Sequence, residues 1–150
     1  MKNVILITNS FPFGIVEAGF LAPEYEVLKE KADVYTVTRN TKDEMTTSVP
    51  EDRVFRYASH YGKSVFVYFL KALVSPIYYR ELAYLKREKK LAFSNAKRAL
   101  TTLMRAFHFE TFLKKVRSRA DGECVLYTYW NDYTALSAAL AAKNGDRVVS

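Results

Sequence analysis

The run Val4-Ile5-Leu6-Ile7 constrains this chain more than any other feature. Four apolar residues in a row, three of them β-branched and none alternating with a polar one, predict a strand buried on both faces. Such strands belong to parallel sheets covered by helices. The chain then breaks at Asn9-Ser10-Phe11-Pro12-Phe13-Gly14 and resumes as an acidic, periodic segment from Glu17 to Lys31. Strand, tight loop and helix make the first unit of a doubly wound α/β domain. Ligands in such domains bind outside the carboxyl ends of the strands, so the loop after Thr8 is the first place to look for a site.

The rest of the sequence repeats this pattern with one interruption. Glu17, Glu24 and Glu26 lie toward the start of the first helix and Lys29 and Lys31 toward its end, an order that complements the helix dipole. Pro23 predicts that the regular helix begins at about that residue, and Leu21, Tyr25 and Leu28 form its inward face. A second strand is expected over Asp33–Thr38, a polar loop over residues 39–52, and a short third strand over Arg53–Tyr57. Residues 61–119 read as four helical pieces: 65–74, 78–90, 91–107 and 109–119. Cys124–Tyr129 is a further buried strand, Asp132 caps a helix that runs to Lys143, Asn144-Gly145 stops it, and Arg147 begins another strand. The expected fold class is therefore α/β, a Rossmann-like three-layer domain with a mostly parallel sheet and a helical insert over about 61–120. A strand at the last residues predicts that the domain continues past Ser150.

At 49% hydrophobic and 26% charged, the 150 residues suit a domain with a real core rather than a disordered chain. The lone Cys124 excludes an internal disulfide framework and fits a reducing compartment. The first apolar run is too short for a secretion signal, and the one near residue 65 is interrupted at Lys71, short of the ~20 residues needed to span a bilayer. Charge is unevenly placed. Residues 61–120 hold 14 Lys and Arg against three Glu, a net +11, which leaves the remainder at −4 because the whole is +7. The basic segment reads either as solvated helix faces or as a membrane-surface patch. In the second reading Val65–Leu70 and Tyr78-Tyr79 anchor the patch, and Lys86, Arg87, Lys89 and Lys90 meet anionic lipid. No nucleic-acid motif accompanies the charge, so nucleic acid is not an expected partner.

Two stretches could carry chemistry. Pro12 and Gly14 give the first loop a backbone that can approach a ligand, but neither G-x-G-x-x-G nor a Lys-Ser/Thr pair is present, which excludes a dinucleotide fingerprint and a P-loop. The loop is otherwise a plain βα turn. Glu17 either orients that loop through backbone N–H groups, binds a sugar hydroxyl, or is simply an acid in a first helical turn. Tyr127-Thr-Tyr-Trp130-Asn131-Asp132 sets aromatic faces beside amide and carboxylate groups, the combination that sugar recognition uses, or else it is a core edge followed by an N-cap. His60 and His108 stand far apart with no ligand-spaced partner, so no metal is expected, and no nucleophile elbow occurs.

Taken together, Ser10-Phe-Pro-Phe-Gly14, Glu17, Phe20-Leu21 and Glu24 after a first strand, followed much later by Leu126-Tyr-Thr-Tyr-Trp130, resemble the N-terminal domain of bacterial retaining glycosyltransferases of the GT-B architecture. The likeness is to those that build capsule, exopolysaccharide and lipopolysaccharide chains. It implies an acceptor-side lobe whose partner is its own C-terminal donor-binding domain. It implies a hexosyltransferase-type enzyme that moves a sugar from a nucleotide-sugar co-substrate to a polysaccharide or lipid-linked acceptor, with retention and without another cofactor. Its substrate-binding residues here would be Phe13, Gly14, Glu17, Trp130 and Asn131, with Gly14 near the donor phosphates, Glu17 supporting its loop and Trp130 lining the acceptor side. Relatives often have consecutive glycines where this chain has Ile15-Val16. Their histidine would lie beyond Ser150, so no catalytic residue is assigned and the fragment alone is expected to be inactive. The expected location is cytoplasmic, peripheral at the inner face of the membrane. The rival expectation is a freestanding, non-catalytic α/β module that binds a ligand or a protein.

Overall fold

The computed structural model describes residues 2–39, 43–60 and 62–150. Residues 40–42 of the expected polar loop, and Tyr61 at the start of the helical segment, lie outside the described residues. Strand β1 (Lys2–Thr8) is central, flanked by β2 (Ala32–Thr38) and β4 (Cys124–Thr128), with β3 (Val54–Arg56) and β5 (Arg147–Val149) at the edges. The order is β3-β2-β1-β4-β5 and every pairing is parallel, compatible with a Rossmann-like fold.

Alternation along β1 explains why its apolar run is unbroken. Ile5 and Ile7 point into a core with Phe109, Leu113, Leu126 and Ala138, whereas Val4 and Leu6 point to the other face, against Leu21, Tyr25 and Val34. Each face is covered by helix, so the side chains of Val4, Ile5, Leu6 and Ile7 are removed from water, which stabilises by about 1.5–3 kcal/mol per large aliphatic residue. In register, Val4 stands between Val34 and Val125, and Ile5 between Tyr35 and Leu126.

Helix α1 (Ala18–Lys31) starts five residues earlier than Pro23 suggests. Its first amides, those of Phe20 and Leu21, both donate to the carbonyl of Glu17. Pro23 has no N–H to offer the carbonyl of Gly19, yet both residues are exposed and water can take that acceptor, so the helix passes through the proline. The expected inward face holds: Leu21 and Tyr25 are buried and Leu28 packs beside them.

Helices α2 (Val65–Leu73) and α3 (Pro76–Arg87) follow the expected segments. Ser75 caps α3 by accepting from the Ile77 N–H at 3.3 Å, with Pro76 at the first helical position. Helix α3 ends three residues short of Lys90. Lys89 turns into the left-handed region (φ 54°), and the amides of Lys89 and Lys90 fold back on the carbonyls of Lys86 and Leu85.

The two helical pieces expected over 91–107 and 109–119 are one helix, α4 (Phe93–Arg117), 25 residues long. No glycine or proline interrupts it. What changes near His108 is the neighbour. Leu103 and Phe107 pack on Ala72, Tyr68 and Ile77 of α2 and α3, whereas Phe109, Leu113 and Val116 pack on the sheet. The helical segment is therefore continuous with the sheet domain, since the second half of α4 is the crossover that returns the chain to β4.

Helix α5 (Tyr133–Ala141) is capped as expected by Asp132, whose carboxylate accepts from the Thr134 N–H at 2.8 Å. Below the sheet, Arg117 at the end of α4 holds Asp146 through two 2.8 Å bonds and donates to the carbonyls of Ala120 and Gly122. Asp146 also accepts from the amides of Cys124 and Lys143. This buried pair ties α4, β4 and the turn before β5 together.

Candidate functional site

The site is built at the carboxyl edge of the sheet, where loops leave β1, β2 and β4. Glu17 is its keystone on the β1 side. Only 2% exposed, its carboxylate turns away from α1 and back over the β1–α1 loop. Oε2 accepts from the amides of Ser10 (2.6 Å) and Phe11 (2.8 Å) and from the Ser10 hydroxyl (3.1 Å). Oε1 accepts from the Asn9 amide (3.2 Å) and from the indole Nε1 of Trp130 (2.6 Å), 113 residues away in the chain. Burial pushes the carboxyl pKa up. The N–H groups of Ser10 and Phe11, with help from Trp130 and the Ser10 hydroxyl, outweigh it and hold the pKa below the usual carboxylate range. Glu17 is an ionised positioning residue, its lone pairs already taken by protein donors.

Phe13 is wholly buried, with the Arg56 guanidinium 4.1 Å from its ring centre. Its strand-like bridge to Met45 and the bonds from Thr46 clamp this loop to the segment after β2. Gly14 adopts φ +69°, a conformation suited to glycine. Its N–H donates to the Glu44 carbonyl at 3.3 Å and its carbonyl accepts from the Thr46 hydroxyl at 2.7 Å. The parts of the loop that reach solvent are instead Ile15 and Val16, at 81% and 80% exposure. Trp130 keeps its N–H on Glu17 but leaves its ring 42% exposed, packed edge-on to Tyr129, which stacks on Phe20.

Asn131 belongs to a different part of the edge. With Asp132 and Tyr133 it lines a cleft of about 1000 Å³ closed on the other side by Arg39, after β2, and by the exposed first half of α4. Helix α4 contributes Ser94, Lys97, Arg98, Thr101, Thr102 and Arg105, spaced at three and four residues so that they share one face. The opposite face, through Leu103 and Phe107, packs on α2 and α3. Arg39 is held in place by the Tyr133 hydroxyl (2.9 Å) and Asp132 (3.3 Å). Lys97, Arg98 and Arg105 make no ion pair with any described residue. A smaller cavity of about 290 Å³, lined by Arg39, Arg105 and Tyr133, continues toward Tyr57 and Ser59. One carboxylate among four cations leaves a strongly positive cleft, ringed by hydroxyls, that suits a phosphate-bearing ligand.

The structure thus brings Gly14's loop, Glu17 and Trp130 into one hydrogen-bonded unit and sets Asn131 apart on the basic cleft. Reading the sequence for motifs missed Arg39 and the α4 stripe. The signal that could have found the stripe was the helical spacing of hydroxyl and basic residues at 94, 97, 98, 101, 102 and 105. Among the described residues no group of three or more His, Cys, Asp or Glu is placed to hold a metal ion, and no helix is long and apolar enough to cross a membrane. Compared with known proteins, the chain matches no family model, no curated protein and no solved structure.

Proposed function

We propose that this chain is the acceptor-side lobe of a retaining GT-B glycosyltransferase, which moves a sugar from a nucleotide-sugar donor to a polysaccharide or lipid-linked acceptor. The observation that carries the reading is the Glu17–Trp130 hydrogen bond. It couples the two stretches that bear the family resemblance, from opposite ends of the chain, at the strand edge where α/β domains take ligands. Glu17 fixes the loop, the exposed indole ring offers a flat apolar face to a sugar ring, and Asn131 offers amide groups to hydroxyls at the mouth of the cleft. The exposed Ile15-Val16 tip is then the contact with the donor-binding lobe. The apolar residues Phe66, Val67, Leu70 and Val74 of α2 and the loop after it, together with Lys86, Arg87, Lys89 and Lys90 around the end of α3, meet the anionic leaflet that carries the acceptor. Each well-placed cation there contributes about 1 kcal/mol.

The test is transfer itself. The natural gene product, incubated with labelled nucleoside-diphosphate sugars and a membrane extract, should move label into lipid or polysaccharide. Trp130→Ala should lower that transfer while the protein stays folded. No transfer from any donor, with ligand binding in the cleft intact, would replace the enzyme with a non-catalytic binding module. Vesicle sedimentation checks the membrane contact, which fails if anionic and zwitterionic vesicles bind equally.

A further inference from the structure

Next to the basic cleft lies a second cavity of about 460 Å³, between α3 and α4. Its walls are half-buried or buried apolar side chains, Ile77, Leu85, Ala99, Leu103 and Leu136, with the exposed Glu81 and Lys90 also on its lining. The two cavities are neighbours in the strict sense that they share Arg98, Thr102 and Leu136 as common wall. An apolar groove of ligand size therefore opens beside cations that no described carboxylate pairs.

Either half alone is poorly matched by a simple ligand. A free anion would pair Lys97, Arg98 and Arg105 but leave the α3–α4 groove wet. A neutral chain would fill the groove but leave the cations without counter-charge. We propose that cleft and groove form one site for a single-chain lipid phosphate or diphosphate, its anionic head on Lys97, Arg98 and Arg105 and its hydrocarbon chain between α3 and α4. Charge complementarity selects the head, and the shared wall at Arg98 and Leu136 sets the junction of head and chain. The proposal deepens the transferase reading by naming its acceptor class, and rests on that reading only for the lipid's role as acceptor.

Binding of farnesyl diphosphate to the full chain, measured by calorimetry against inorganic pyrophosphate and farnesol, tests it. The diphosphate lipid should bind at least tenfold more tightly than either. Arg98→Ala, an exposed change that leaves the fold intact, should weaken it at least tenfold. Ala99→Phe, which fills the groove, should abolish the advantage over pyrophosphate and leave pyrophosphate binding unchanged, and retention of the pyrophosphate affinity also reports that this variant is folded. Equal affinity for pyrophosphate would overturn the proposal in favour of a free-anion site, and equal affinity for farnesol in favour of an uncharged apolar site. Failure of the two readings is separable. Sugar transfer to a water-soluble acceptor without farnesyl diphosphate binding overturns this inference and keeps the transferase, whereas tight lipid binding without transfer from any donor does the reverse.

Discussion

Replacing Glu17 by glutamine keeps its size and removes one acceptor, and the structure indicates what that costs. The glutamine oxygen can take the place of Oε2, which serves three donors, the amides of Ser10 and Phe11 and the Ser10 hydroxyl. Its NH2 group must then stand where Oε1 was, facing the Asn9 N–H and the Trp130 indole N–H, donor against donor. Two charge-assisted bonds are lost, at about 1.5–3 kcal/mol each. The lower end applies because Asn9 and Trp130 are both reachable by water, so the expected destabilisation is about 3 kcal/mol. The chain has a single tryptophan, and it is the one bonded to Glu17, so its fluorescence reports on this contact without labelling. Urea unfolding of Glu17→Gln followed by that fluorescence should show the loss, with the indole emission shifted before any denaturant is added. A second reading comes from pH. The folded Glu17 pKa lies below its ordinary value, so its contribution is present above the ordinary carboxylate range and is lost as pH falls through the lower folded value. The parent's emission should move with pH only in that acid limb, and the already shifted emission of the glutamine variant should not change across it. A variant within about 0.5 kcal/mol of the parent, with unchanged emission, would refute the role assigned to Glu17.

Asp146 supplies a second acid-sensitive contact. Burial raises its pKa, but Arg117 and the amides of Lys143 and Cys124 overcome this and hold it at about 2, against an ordinary 3.8. The depressed value contributes about 2 kcal/mol at neutral pH, lost as pH falls from near 4 through about 2, and Asp146→Asn should flatten the stability profile over that window. Lys89→Gly should raise stability by about 1 kcal/mol, because the left-handed turn that ends α3 strains any side chain but glycine's, and a lower melting temperature would contradict this. Phe109→Ala should cost about 4 kcal/mol in chemical denaturation, since its ring is fully buried against Tyr57, Phe112 and Tyr133, whereas Phe93→Ala, at the exposed start of the same helix, should cost under about 0.5 kcal/mol. Similar costs at the two positions would refute the contrast between the exposed start of α4 and its sheet-packed half.

The central strands β1 and β4 were legible in the sequence because burial on both faces writes itself as an unbroken apolar run. Val4–Ile7 and Cys124–Thr128 can be read that way without knowing what covers them, and Asp132 and Gly145 punctuate the segments between by local backbone chemistry. Helix α4 was legible as helix but not as one helix. Its two halves bury residues toward different neighbours, so the inward stripe changes direction at His108 and resembles a break. The site was legible only in part. Glu17 and Trp130 stood out by type and by position after strands, yet nothing in their spacing says that one accepts a hydrogen bond from the other across 113 residues. The cleft was further out of reach, because Arg39, the α4 stripe and Asn131 come from three separate segments. Local sequence determined which segments are strands and helices and where they stop, since those choices depend on neighbours within a few residues. Which loops share an edge, and which cations face one another, was decided by the strand order that sets β2, β1 and β4 side by side, a property of long-range packing that no single stretch encodes.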